Sequence, residues 1–139
     1  MKKRLLILVT ILFGCCCFVA CYSGNDTSLP ANPKVYEFGE IDSDGGYQTI
    51  NFEGKTFVLY GTLINNNNIG KCLGYIDNGV DEYDRIFEIN GVNADEYIIR
   101  YDCSNGNEMN QPDVYRELST MGVEAPSDIE SSGYDIWKE

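Results

Sequence analysis

Histidine is missing from all 139 residues. Its absence removes Ser-His-Asp and Cys-His catalysis, zinc held by imidazole, and histidine pH switching. Basic residues are scarce, 10 Lys and Arg against 22 Asp and Glu, and Lys2, Lys3 and Arg4 account for three of the ten. The seven that remain, set against all 22 acids, give the chain beyond Tyr22 a formal net charge of −15. Such a field repels phosphates, so nucleic acid is excluded as a partner. Solubility alone explains much of this acidity. Long apolar runs are also missing, except at the N-terminus. Tryptophan occurs once, and only Cys72 and Cys103 lie beyond residue 21.

The exception at the N-terminus is informative. Lys2, Lys3 and Arg4 precede a stretch, Leu5 to Ala20, that is apolar apart from Thr10. A short positive segment followed by an apolar one is the pattern of an export signal. The stretch then ends in "FVAC", residues 18–21: an apolar residue, two smaller ones and a cysteine. This resembles the lipobox of bacterial lipoproteins. The resemblance covers residues 1–21 only and departs at Phe18, where leucine is usual. It implies cleavage after Ala20 and a diacylglyceryl group on the thiol of Cys21. It also implies residence in the bacterial cell envelope, anchored through that lipid on the extracytoplasmic face of a membrane. "LFGC", residues 12–15, is an alternative with Cys15 as the anchor, but bulky Phe13 stands where a small residue is normal. Each buried acyl methylene contributes about 0.8 kcal/mol, so two or more chains hold a protein stably.

Three sections follow: a signal over 1–20, a lipid-anchored tether over 21–33, and an extracytoplasmic domain over 34–139. The tether, rich in Ser, Gly, Asn and Pro without apolar period, reads as flexible. Beyond Lys34, strand-like segments alternate with Gly, Asn and Asp punctuation. Strands are predicted at 34–41, 47–52, 55–63, 69–77, 85–89 and 96–102, with a tight hairpin at Glu53-Gly54. Gly74 allows a bulge or a close backbone approach inside its strand. One helix is predicted over 110–122, with Pro112 near its start, Gly122 as its stop, and an apolar stripe of Val114, Leu118 and Met121. Trp137 is expected to dock back on the sheet. The fold class is thus mainly β (α+β), a small antiparallel barrel or sandwich of five to seven strands with one helix in the C-terminal half.

Candidate sites are few. Cys72 and Cys103 could form a disulfide in an oxidising compartment, or remain free thiols. Calcium is a weak expectation at Asp42 and Asp44 and at Asp77, Asp81 and Asp84, because dense carboxylates in turns suit it. The EF-hand spacing fails at Tyr47, which occupies the position that requires glycine, and Asp-Gly and Asn-Gly are ordinary turn chemistry. Tyr60, Tyr75, Tyr97 and Tyr101 could make an aromatic surface for a glycan or protein, although tyrosine also suits half-buried strand positions. No catalytic constellation stands out, and no cofactor is expected beyond the covalent lipid. The leading expectation is a non-enzymatic binding module for a surface protein or glycan. The alternatives are an acidic inhibitor or immunity-type protein docking on a basic enzyme or toxin, and a small hydrolase using carboxylates.

Overall fold

Strands form where β-branched and aromatic residues alternate with polar ones, and turns where Gly and Asn interrupt them. A computed structural model describes residues 26–41, 46–79, 84–102 and 112–138. Its strands are Lys34–Ile41 (β1), Tyr47–Phe52 (β2), Lys55–Leu63 (β3), Ile69–Asp77 (β4), Asp84–Ile89 (β5), Tyr97–Asp102 (β6), Asp113–Glu117 (β7) and Ile129–Ser131 (β8). The Glu53-Gly54 turn has φ of 48° and 78°, the left-handed pair that matches the twist of a two-residue hairpin.

Seven strands close into a barrel in the order β2-β1-β4-β5-β6-β7-β3, with β3 returning to β2, while β8 pairs with the far end of β3. An odd ring cannot be antiparallel throughout, so at least one seam must be parallel. That seam is β1 with β4, where Lys34 pairs with Gly74 and Glu37 with Asp77. The choice between barrel and sandwich, left open by the sequence, is settled by this closure.

The predicted helix over 110–122 is a correction: no helix of seven or more residues is present among the described residues. Asp113–Glu117 is strand β7, followed by a single 3-10 turn over Leu118–Thr120, while 110 and 111 lie outside the described residues. The reason is tertiary. β7 fills the slot between β6 and β3 and is buried on both faces, with Val114 to one side and Tyr115 to the other. Alternation of period two therefore prevails over the helical stripe, and Met121 ends 45% exposed.

The sheet carries a core on each face. The barrel interior takes one fully buried residue from each of its seven strands: Tyr36, Ile50, Phe57, Ile76, Ile86, Ile98 and Tyr115. Each apolar side chain of this layer contributes about 1.5–3 kcal/mol by leaving water. The opposite face of β3–β7 holds a second cluster, including Phe87, Ile89, Ile99 and Val114, under Leu29, Val92, Ala125 and Trp137. Trp137 docks as expected, its indole nitrogen donating to the Leu59 carbonyl at 2.8 Å and its ring standing edge-on to Tyr60.

In the segment 26–33, read from composition as part of a flexible tether, Thr27 and Leu29 touch this second face. Arg85 Nε donates to the Thr27 carbonyl at 3.0 Å, and Leu29 packs on the cluster.

Candidate functional site

β1, β4 and β6 run in one direction, so their C-terminal ends meet the starts of β2, β5 and β7 at one rim. These strand ends carry Glu40, Asp77, Asp84, Asp102 and Asp113. Period two decides which of them turn inward. Asp84 lies two residues before the interior Ile86, Arg100 two after the interior Ile98, and Asp113 two before the interior Tyr115. Arg100 sits opposite Asp113 in the ladder and diagonal to Asp84.

Arg100 organises this inward group. Its Nε donates to Asp84 Oδ1 at 3.1 Å, the pair being only 23% and 10% exposed. The guanidinium also donates to the Tyr115 hydroxyl and lies 5.2 Å from the centre of the Phe38 ring. Burial works against the charge on Arg100, but Asp84 and the Tyr115 hydroxyl outweigh it and hold the pKa above the ordinary arginine value. Burial pushes the Tyr115 phenol up. It also pushes up the Asp113 carboxyl, with Arg100 offsetting only part of the shift. The result is a cation held between two acids at the barrel mouth, a strong local field in a medium of reduced dielectric.

A second arginine occupies the other face. Arg116 is 5% exposed, and its guanidinium lies 5.1 Å from the centres of Tyr60 and Trp137 and 5.5 Å from Tyr97. It donates to Thr120 Oγ1 at 2.8 Å and to the Thr120 and Val123 carbonyls, and among the described residues no carboxylate pairs with it. This box pins the 118–123 connection to the barrel. Sequence reasoning passed over both arginines. The signal for Arg100 was present, since alternation from Ile98 through "IIRY" places it on the inner face.

The expected site residues are distributed as follows. Asp77 is exposed at the rim, where its carboxylate accepts from the Gly79 amide, and Asp84 is committed to Arg100. Asp42, Asp44 and Asp81 lie outside the described residues, and among the described ones no group of three or more acids or cysteines stands where it could hold a metal ion. Cys72 is a buried free thiol whose Sγ lies 3.5 Å from the Gly74 carbonyl. Burial pushes that thiol up, away from the thiolate a nucleophile needs. Cys103, Cys15, Ala20 and Cys21 lie outside the described residues. The tyrosines do not form a surface: Tyr60, Tyr97 and Tyr101 are buried in the second cluster, and Tyr75 is half-buried.

No family model matches this chain, and no curated protein or solved structure matches it either.

Proposed function

We propose that the protein is a lipid-anchored extracytoplasmic binding module, not an enzyme, whose acidic barrel rim engages a basic surface of a partner protein. The observation that carries this reading is the gathering of carboxylates at one strand-end rim. Glu40, Asp77, Asp84, Asp102 and Asp113 stand at the rim, and the arginine set inward among them is spent on Asp84. The strand lysines Lys34, Lys55 and Lys71 lie toward the opposite end, where Lys55 pairs with Asp95 and Lys71 with Glu88. An acidic rim on a chain that is acidic throughout steers and orients a cationic partner. This favours the protein partner over the glycan, and it joins the binding-module reading to the inhibitor-type alternative.

The test uses the soluble chain from Asp26 onward, immobilised and exposed to envelope proteins at low and high salt. The partner should be retained at about 0.01 M salt and lost near 1 M, as the screening length falls from about 30 to about 3 Å. A Glu40→Gln/Asp77→Asn variant should bind at least about tenfold more weakly, as expected where rim charges steer encounter. A Glu53→Gln/Glu96→Gln variant, changed at the opposite end of the barrel, should bind as the parent does. Retention that ignores both salt and the rim variant would rule the reading out.

The anchor has its own test. Cys21→Ala should abolish acyl labelling and move the protein from the membrane to the soluble fraction. Persistent labelling in that variant would shift the anchor to Cys15.

A further inference from the structure

We infer that residues 26–33 form a strap docked on the barrel, which shortens the leash to the membrane and fixes the height of the domain above it. This rests on the reading of Cys21 as the lipid anchor. The docking itself rests on two contacts with the barrel, beside a turn within the strap. Asp26 closes a turn by accepting from the Ser28 amide at 2.9 Å and from the Ser28 hydroxyl. Arg85 Nε holds the Thr27 carbonyl at 3.0 Å, and Leu29 packs on the second core cluster. Arg85 follows the rim residue Asp84 directly in β5 and pairs with Tyr101 of β6. The strap therefore meets the barrel beside the acidic rim and runs from there to the start of β1.

Chain length turns this contact into a constraint. Were the whole linker free, the thirteen residue steps from Cys21 to Lys34 would extend to about 45 Å, at 3.3–3.6 Å per residue. With Thr27 docked, six steps remain, and they reach at most about 22 Å. The rim half of the barrel is thereby held near the membrane surface instead of ranging above it.

Trp137 is the sole tryptophan and packs on the same cluster as Leu29, so it serves as a built-in energy-transfer donor. The acylated full chain is placed in phosphatidylcholine vesicles carrying a dansyl headgroup acceptor. Ten Gly/Ser residues inserted between Asn25 and Asp26 should at least halve transfer from Trp137. The same insertion between Ala31 and Asn32 should leave transfer unchanged, because it lies on the barrel side of the dock. Adding Leu29→Asp to the second insertion should bring the loss back. Equal losses from both insertions, with acylation intact, would overturn the strap. In the detergent-solubilised full chain, nuclear Overhauser contacts from the Leu29 methyls to the second cluster report docking whether or not Cys21 is acylated. Their absence would overturn the strap as well. A chain that shows those contacts but carries no acyl label at Cys21 would overturn the anchor, and with it the height constraint, while upholding the dock.

Discussion

Replacing Gly74 by alanine is expected to destabilise the domain by about 3 kcal/mol, the upper range for forcing atoms into a packed site. A Cβ at this position would stand 1.9 Å from the Lys34 carbonyl oxygen and 2.7 Å from the Lys34 nitrogen and carbonyl carbon. All three are backbone atoms, so no rotamer change relieves the clash. β1 would have to retreat by more than an ångström along Lys34–Glu37, which is its whole parallel pairing with β4. That retreat opens the seam that closes the ring, next to the interior Tyr36. Gly70→Ala in the same strand supplies the contrast, because its Cβ would first meet Glu88 Cγ and Asn90 Oδ1, side-chain atoms able to move, and the nearest backbone atom, the Glu88 carbonyl oxygen, stands 3.1 Å away. It should cost less than about 1 kcal/mol, close to a tolerated surface change. Urea unfolding followed by Trp137 fluorescence measures both, with the midpoint shifting and the slope unchanged. Equal midpoints for the two variants would mean that the seam is looser than the structure shows.

Gly74 also marks how far the sequence could be read. A glycine inside a strand pattern signalled close backbone approach, and the approach is there, together with a register shift between Cys72 and Gly74. The first six strands were legible for the same kind of local reason, alternation broken by turn residues. β7 was not legible, because "DVYRELST" satisfies a helical stripe as well as a strand, and only its neighbours β6 and β3 decide between them. β8 was missed because three residues carry too little pattern, and its position depends on Gly61 letting the Glu130 carbonyl approach. The closure of the barrel was out of reach, since β1 and β4 meet across about 40 residues of chain, and loop-closure entropy leaves no local trace in sequence. At the rim, Asp77 and Asp84 were picked out as turn carboxylates. The partner of Asp84 is set by the register of β5 on β6, and so its role as the counter-ion of Arg100 emerges only with the fold.

Arg100→Met should cost about 3 kcal/mol at pH 7, the lower end for removing one member of a buried ion pair. Methionine fills much of the apolar stem and keeps the contact with Phe38, so the loss is chiefly one of charge. Asp84, 10% exposed, is left as a buried carboxylate without its cation. Asp113, already above the ordinary carboxyl range through burial, loses the positive charge that was holding it back. The sign of the pH dependence follows from that direction. A carboxyl whose folded pKa is raised supports the fold below its ordinary value and withdraws that support as pH rises through the folded one. The deficit of Arg100→Met should therefore be largest at neutral pH and shrink on acidification toward about pH 4, the ordinary aspartate value. The double variant Asp84→Asn/Arg100→Met should recover part of the loss at pH 7, because the Asp84 charge goes with its cation and only Asp113 is left without one. Thermal unfolding of wild type and both variants from pH 4 to 7 measures these differences. A deficit of the same size at every pH, unrelieved in the double variant, would show that Arg100 serves the barrel by packing over Phe38 and not by its charge. The rim would then lose its internal counter-ion as an organising element, and its acids would be ordinary strand ends.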